Sequence, residues 1–347
     1  MTAVATPQKP WAKRPVDRIR ELGFLLAAVI FSFGFVSATE MKGKLAYAVI
    51  FFVAYGVFTA TFAFISRGAP AAKDAFVSTL VSLGAILTIV PMASIIFTVL
   101  KNGLPGMHLS MFTTDMSLAT PTDPIATGGL LHAITGTLTM VALALAMSIP
   151  IGILTALYLT EIKSRFSGPI RFLVQAMSGV PSIVAGLFIL SAVLYTITKE
   201  YSALMGALAL TILMIPTIAR TSEEVLLLIP NDLREAGTAL GGTQWRTVAM
   251  IVVPAARSGL MTAIILGIAR IAGETAPLVL LTGGGDKVNP NPFSGPVGSL
   301  PYYVWRAFNA GSPEAMTRAW AGLLVLMIVV LILFIGARAL SDRKISK

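Results

Sequence analysis

The chain has 347 residues, of which 56% are hydrophobic and only 12% are charged, whereas a soluble domain is about 45–50% apolar and about 25% charged. This composition excludes a large soluble enzyme and predicts a membrane protein with several spans. Because the chain has no cysteine and only two histidines, it excludes disulfides, thiolate metal sites and a histidine metal cage. The net charge is +10, and most Lys and Arg residues lie between the apolar runs. This position indicates that they set the orientation of the spans beside anionic lipid headgroups, and it argues against nucleic-acid binding.

Eight apolar runs predict eight transmembrane helices in an all-α bundle, because each is close to or above the roughly 20 residues that cross a bilayer. They cover residues 22–39, 45–66, 76–100, 129–160, 171–198, 203–222, 258–282 and 319–338. The first two runs are plain aromatic and aliphatic segments, whereas Gly, Pro, Ser and Thr recur inside the later ones and allow close helix packing and kinks. We therefore predict a cytoplasmic N-terminus and two additional helices in residues 1–75, followed by a six-helix core in residues 76–340.

The basic residues predict the orientation of these spans. Eighteen of the 26 Lys and Arg residues lie before the first span, after the last span, or in loops that share their side of the membrane. The excess of positive charge places both termini in the cytoplasm. No small-residue cleavage site closes the first apolar run, which is therefore predicted to be a retained membrane helix.

The fifth run contains the segment GVPSIVAGLF, residues 179–188, with Pro181 between Gly179 and Gly186. Proline inside a membrane helix removes a backbone hydrogen bond and bends the helix. We predict a kink at Pro181, which either shapes a pathway or only serves packing.

A long irregular motif lies in the predicted cytoplasmic loop of residues 223–257. In REAGTALGGTQWRTVAMIVVPAARSGL, residues 234–260, the motif positions are Glu235, Ala236, Gly237, Gly241, Ile251 and Pro254. Gly241 and Gly242 permit a turn between two short helices. Thr243 is placed to cap the second helix, and Pro254 is expected to end that helix or turn it into the next span.

The second helix of this loop is expected to place Trp245, Val248 and Val252 on or near one face. Such a short amphipathic pair of helices suits insertion into a groove on another protein. An interfacial hairpin that rests on lipid headgroups is the simpler alternative.

The motif spacing resembles the EAA loop of ABC importer permeases, which docks on a separate ATP-binding subunit. The chain keeps five of the motif residues, with Gly237 in place of the family's third Ala and Val253 in place of its Leu. The sequence contains no G-x-x-x-x-G-K-[ST] phosphate loop. The resemblance therefore implies a transport subunit that is not an enzyme and binds no cofactor, with ATP hydrolysed by a partner.

Three further segments resemble the permease subunits of the bacterial high-affinity phosphate importer, and GETAP with the later SLP is similar to its PstA branch. The segments are GVPSIVAGLF, IARTSEEVLLLIP (residues 218–230) and IARIAGETAPLVLLT (residues 268–282). The resemblance covers about residues 76–340 and implies a MetI-like six-helix permease core that forms half of a translocation path. It also implies three partners: a PstC-like second permease, a PstB-like ATP-binding dimer and a PstS-like phosphate-binding protein.

Arg270 and Glu274 interrupt the seventh apolar run four residues apart, on one helix face. A charge near the membrane centre costs about 2.5–3.5 kcal/mol, so such residues usually face a bundle interior or a water-filled path. A guanidinium also matches a pair of phosphate oxygens. We predict that Arg270 lines the translocation path, held by Glu274, or that the two only neutralise each other. The resembled family also implicates Arg220, although an orientation anchor is the simpler interpretation there.

The segment of residues 283–318 is predicted to be a long external loop, because it is rich in Gly, Pro and Asn and too polar to span. Its aromatic residues could lie at the membrane interface or receive a solute-binding protein. His108 and His132 are predicted to be surface and helix-end residues, and no metal site is predicted.

Two alternatives stay open at this point. The first is an ABC importer for another oxyanion or small solute, since arginine binds phosphate, sulfate and molybdate alike. The second is an ion-coupled secondary transporter, which would need a coupling-ion site and no docking loop.

Overall fold

The computed structural model describes residues 15–162 and 164–342, and the regular elements of this part of the chain are helices. In chain order they are α1 (Pro15–Ala38), α2 (Lys44–Arg67), α3 (Ala69–Gly103), α4 (Leu131–Leu157), α5 (Ser167–Ser178), α6 (Ser182–Ile189), α7 (Ala203–Leu227), α8 (Asn231–Ala239), α9 (Gln244–Thr247), α10 (Val253–Ile271), α11 (Ala276–Leu281), α12 (Leu300–Ala310) and α13 (Pro313–Asp342). Wider π-helical turns continue α4 over Tyr158–Ile162, α6 over Leu190–Thr198 and α9 over Val248–Val252.

The described residues contain seven helices that are long and apolar enough to cross a membrane, and a bent pair supplies an eighth candidate. This confirms the all-α, multi-span prediction, with two changes to the predicted spans. The fifth run is not one continuous helix, because α5 and α6 meet at an angle of 104°. The seventh span runs over Gln244–Ile271, earlier than the predicted 258–282, because the chain breaks after Ile271 at a glycine.

The residues up to Phe97 form one compact unit. Within it, α1 and α2 pack through aromatic side chains, with ring centroids 5.3 Å apart for Phe24 and Phe62 and 5.8 Å apart for Phe31 and Phe58. Gly56 of α2 lets the methyl group of Thr79 on α3 approach. Most other apolar side chains of this unit point outward, as expected for helices in contact with lipid. The boundary predicted at residue 75 stays a prediction.

The residues from Thr98 onward form the second compact unit, in which α4, α7 and α10 surround a common apolar core. Small residues permit close contact between these helices. A Cβ atom at Gly152 of α4 would lie 2.8 Å from Ile218 of α7, and one at Gly267 of α10 would lie 2.7 Å from Met214 of α7. Such glycine contacts are typical of membrane helix packing.

The segment predicted as a loop over residues 283–318 contains a helix, α12. Ser299 caps it by accepting a hydrogen bond from the backbone N–H of Tyr302 at 3.3 Å, and Gly311 ends it with φ of 73°. The helix is amphipathic and buries Tyr303 against His132, which is itself only 2% exposed. His132 is the second residue of α4, so its predicted place at a helix end is confirmed, but it lies in the core and not at the surface.

A single arginine of α13 holds the segment that precedes α4. Arg318 is 4% exposed, and its Nη2 atom donates to the carbonyl oxygens of Asp123, Pro124 and Thr127 at 3.2, 2.7 and 2.7 Å. Its Nη1 atom contacts the sulfur of Met116 at 3.7 Å. The guanidinium thus takes the place of the backbone donors that this irregular segment lacks.

Candidate coupling loop and translocation site

The predicted helix–turn–helix is present in residues 231–252. Helix α8 ends at Gly241, whose φ of 78° lies in the left-handed region, and the N–H of Gly242 donates to the carbonyl of Gly237 at 3.1 Å. These are the features of a glycine C-terminal cap. Thr243 then caps α9 by accepting from the N–H of Arg246 at 3.4 Å.

Gly237 lies where the two helices of the loop touch. A Cβ atom at this position would lie 2.5 Å from Cγ2 of Thr247 and 2.8 Å from Cδ1 of Ile251. The glycine that replaces the motif's third alanine therefore allows α8 to approach α9 more closely. The motif residues Glu235 and Ala236 are exposed on the outer side of α8.

One expectation about the second helix is corrected, and another is decided between its two alternatives. Trp245 is 59% exposed, whereas Val248 is 4% exposed and Val252 is buried completely, so the tryptophan does not share their buried face. Of the two outcomes predicted for Pro254, the structure has the second, because the helix leads into the next span and the span covers Gln244–Ile271. Proline lacks the N–H that a regular turn would use, and the wider π-helical turn before it removes that conflict.

An ion pair that the sequence did not predict fastens the loop to the end of α4. Arg234 donates from Nη2 and Nε to Glu161 at 2.8 and 3.1 Å, and to the carbonyls of Leu226 and Ile229 at 3.0 and 2.7 Å. The hydrogen bond to Glu161 raises the pKa of Arg234 above its ordinary value. Gln244 of α9 donates to the carbonyl oxygen of Glu161 at 2.6 Å, so one residue of α4 holds both helices of the loop.

The loop presents an apolar surface next to a small cavity. The most exposed apolar side chains are Leu228 at 81%, Leu240 at 88%, Trp245 at 59% and Met250 at 65%. A cavity of about 370 Å³ lies beside the Arg234–Glu161 pair. Exposed leucine, methionine and tryptophan together form an apolar surface that is available to another protein or to lipid.

The Arg270–Glu274 pair lies at a break in the seventh span. Nη1 of Arg270 donates to Oε1 of Glu274 at 2.8 Å, and the side chains are 43% and 12% exposed. The two residues do not share a helix, because α10 ends at Ile271 and α11 begins at Ala276. A Cβ atom at Gly273 would meet no other atom within 4 Å. Arg270 therefore points away from the core of this chain, at the surface of the chain beside an open backbone turn.

The break in the fifth run lies close to the break in the seventh span. Pro181 precedes α6 and has an extended ψ of 140°, which separates α6 from α5. In α6, a Cβ atom at Gly186 would lie 2.8 Å from the Cα atom of Pro277 in α11. The two interrupted spans thus approach each other through a glycine and a proline. Whether Pro181 shapes a pathway stays a prediction.

Arg220 does not join the Arg270–Glu274 pair. Helices α7 and α10 pack antiparallel, because Gly259 of α10 contacts Val225 and Gly267 contacts Met214 and Ile218. Arg220 therefore lies nearer than Arg270 to the candidate coupling loop, the helix–turn–helix of residues 231–252. Arg220 is exposed and has no ion pair within the described residues. Its neighbour Glu223 pairs instead with Arg171 of α5 at 2.6 Å, a contact across 52 residues that the sequence did not predict.

The described residues contain no group of three or more His, Asp or Glu side chains that could hold a metal ion. The charged groups described above include an exposed guanidinium paired with one carboxylate, and one partly buried ion pair that holds an apolar loop.

A multi-span helical bundle with interrupted spans, an exposed arginine at one break and a projecting helix–turn–helix defines a membrane permease. Residues 148–347 match the family described as binding-protein-dependent transport system inner membrane component. The chain belongs to this family, and it is a multi-pass membrane protein and a transport component.

Several relatives and solved structures are similar to this chain. It is 36% identical over 259 residues to the phosphate transport system permease protein PstA 1 of Mycobacterium tuberculosis strain H37Rv, covering 74% of this chain and 84% of the relative. It is 36% identical over 274 residues to the phosphate transport system permease protein PstA of Pasteurella multocida, covering 78% and 95%. A bacterial alginate ABC transporter, crystallised with a periplasmic protein bound to an alginate pentasaccharide, shares the fold with a TM-score of 0.57 at 16% identity over 78% of this chain and 95% of that one.

Proposed function

We propose that this chain is the permease subunit of an ATP-driven phosphate importer and forms half of its translocation path. Relatives that carry the name phosphate transport system permease protein support the substrate. The observation that carries the proposal is the position of Arg270, a guanidinium 43% exposed at an interrupted membrane span. Charges within membrane spans usually face a bundle interior or a water-filled path. Arg270 does not face the core of this chain, so a path at the seam with a second permease would supply that environment.

The Arg270–Glu274 pair has the chemistry for a transient phosphate contact. A guanidinium presents planar donors that bind two phosphate oxygens at once. Arg270 gives Glu274 only its Nη1 atom among the bonds within the described residues, which leaves Nη2 and Nε for an anion. Glu274 neutralises the arginine while the path is empty and competes with the bound anion, so phosphate leaves again. The exposed side of Arg270 faces the seam with a second, PstC-like permease.

The coupling loop is where ATP hydrolysis acts on this chain. Its exposed Leu240 and Trp245 fit a hydrophobic groove on a PstB-like ATP-binding subunit, one copy of a dimer. Glu235 and Ala236 lie on the outer side of α8, where that partner would contact them. ATP-driven closure of the dimer moves the loop, and the helix bundle reopens on the other side of the membrane.

The remaining partners and the location follow from the same assignment. A PstS-like binding protein delivers phosphate on the outside, and membrane lipid surrounds the bundle. The chain lies in the bacterial inner membrane with both termini in the cytoplasm, as the distribution of basic residues predicts. The path residues Arg270, Glu274 and Arg220 and the bend at Pro181 belong to this proposal.

The test is phosphate uptake into proteoliposomes that contain this chain with the second permease and the ATP-binding dimer. We expect uptake that requires ATP and the binding protein and that excess sulfate or molybdate does not reduce. Uptake of sulfate or molybdate in place of phosphate would support an importer for another oxyanion. Uptake driven by an ion gradient without ATP would support a secondary transporter and contradict the proposal.

A further inference from the structure

Helix α4 contacts the coupling loop at its last residues. Glu161, in the π-helical turn that extends α4, accepts from Nη2 and Nε of Arg234 on α8 at 2.8 and 3.1 Å. Its backbone carbonyl accepts from Gln244 on α9 at 2.6 Å. The Glu161 side chain is only 6% exposed. Separating a buried carboxylate from its cation strongly destabilises the fold. The loop and this end of α4 therefore move together.

The opposite end of α4 is fastened to the segment that leads into α12. The buried hydroxyl of Thr137 accepts a hydrogen bond from the backbone N–H of Leu300, the first residue of α12, at 2.8 Å. This N–H has no partner inside its own helix. The preceding residue of α4, Gly136, lies so close to the carbonyl oxygen of Gly298 that any side chain would collide with it. The first turn of α12 therefore rests directly on the backbone of α4.

The two fastened ends belong to one helix of 32 residues, Leu131–Ile162, which is about 48 Å long at 1.5 Å per residue. Pro150 removes one internal hydrogen bond, but Gly152 packs against Ile218 of α7 just beyond it and supports the helix there. Residues 231–247 contact one end of α4 and residues 298–304 contact the other. This one helix therefore connects the two segments.

We infer that α4 couples the ATPase-facing loop to the segment around α12, with Glu161 and Thr137 as positioning residues at its two ends. The inference rests on the proposed function for its biological meaning, because the loop is there the contact for the ATP-binding subunit. The coupling itself is a property of this chain. By thermodynamic linkage the coupling acts equally in both directions. The factor by which breaking the Glu161 contact raises opening at the Thr137 end equals the factor by which breaking the Thr137 contact raises opening at the Glu161 end.

Hydrogen exchange of the full chain in its assembled complex tests this reciprocity. In Glu161→Gln we expect amide exchange to rise at least about fivefold in residues 298–304, the lower end of ordinary coupling between sites. In Thr137→Val we expect the same rise in residues 231–247. The double variant should exchange no faster than the stronger single variant, because both act through one connection.

Three variants serve as matched controls. Glu224→Gln removes an exposed carboxylate near the same loop, and Thr139→Val removes a hydroxyl that bonds only within α4. Both should exchange like the wild type at the distant end. Thr137→Ser keeps the hydroxyl and should restore wild-type exchange, which separates loss of the bond from general destabilisation. Exchange that rises only beside each substitution, or that rises equally in the controls, would overturn the inference.

A second readout separates this inference from the proposed function. Stimulation of ATPase activity by the phosphate-loaded binding protein should fall at least about fivefold in both Glu161→Gln and Thr137→Val. A wild-type complex that phosphate does not stimulate would contradict the phosphate assignment and leave the exchange result in force. Normal stimulation in both variants with normal distant exchange would contradict the inference alone.

Discussion

Arg270 and Arg318 are two arginines near membrane helices with opposite surroundings. Arg318 is 4% exposed and donates to three backbone carbonyls and a methionine sulfur. Arg270 is 43% exposed and gives one nitrogen to one carboxylate. Nη1 and Nη2 of the first guanidinium are occupied by the chain itself, although its buried Nε has no hydrogen-bond partner, whereas the second keeps most of its donors available to something outside the chain.

This difference separates a structural arginine from one available for a ligand. A buried polar group must have its hydrogen bonds within the fold, because leaving them unmade costs about 1–3 kcal/mol each. An arginine that binds a passing anion must instead keep free donors and a nearby charge that limits how long the anion stays. Each prediction below tests one side of this comparison.

The largest effect is expected from Arg318→Met, which leaves the carbonyls of Asp123, Pro124 and Thr127 without their donor. We expect the free energy of unfolding to fall by about 3 kcal/mol or more, with reduced assembly of the complex. Thermal unfolding of the purified complex measures this. An unfolding temperature equal to the wild type would show that the guanidinium is not structural.

The next effect is expected from Arg270→Gln, which removes the exposed guanidinium. Phosphate uptake should fall about 100-fold, equivalent to about 2.7 kcal/mol of lost binding in the transport step. Stability should change by less than about 1 kcal/mol, since an exposed ion pair contributes little. Arg270→Lys should retain an intermediate rate, because an ammonium lacks the planar fork. Normal uptake at equal assembly would reduce Arg270 to a structural ion pair.

A smaller effect is expected from Glu274→Gln, which keeps the shape of the side chain and removes its charge. Without the competing carboxylate, phosphate should be held longer, so KM and kcat should both fall by about fivefold while kcat/KM changes little. Initial rates of uptake over a range of phosphate concentrations measure the two constants. A rise in KM would instead mean that Glu274 helps to bind the substrate.

The smallest effect concerns the segment that Arg318 holds. Asp115 accepts hydrogen bonds from Ser117 and from the N–H of Val288, and the Ser117 side chain lowers the pKa of Asp115 below its ordinary value of 3.8. The stability that the carboxylate contributes is therefore present above pH 3.8 and is lost as the pH falls through the lower folded pKa.

We expect Asp115→Asn to reduce the free energy of unfolding by less than about 1 kcal/mol near neutral pH. The difference between variant and wild type should shrink as the pH is lowered from neutral to below 3.8, through the folded pKa of Asp115. Unfolding measured at both pH values checks this. A difference that persists in acid would mean that the carboxylate acts through its shape and not its charge.

The coupling loop could be predicted almost residue by residue, because its signals are local. A left-handed turn requires glycine and a helix start favours threonine, and Gly241 and Thr243 occupy those positions. The exposed Trp245 was not predicted, and the continuation of the helix through Pro254 into the next span was one of two predicted outcomes. Both depend on the π-helical turn over Val248–Val252, which shifts the helix face and which no spacing rule describes.

The ion pairs could not be predicted, because they join residues far apart in the chain. Arg234 and Glu161 are 73 residues apart, and Arg171 and Glu223 are 52 apart. By contrast, α12 had a local signal that composition concealed: Ser299 before the helix, a proline in its first turn and Gly311 after it. The richness of residues 283–298 in Gly, Pro and Asn favoured a loop for the whole segment.

The continuous helix from Gln244 to Ile271 makes the position of Arg270 sensitive to small rotations at the other face of the membrane. Arg270 lies 26 residues beyond Gln244, which is about 39 Å along the helix axis. Pivoting that axis by about 10° at Gln244 would displace Arg270 sideways by about 7 Å, close to the spacing of two packed helices. Because Pro254 leads the loop helix into the span and does not end it, loop and span form one continuous helix. A small angular change at one end of this helix therefore becomes a large translation at the other.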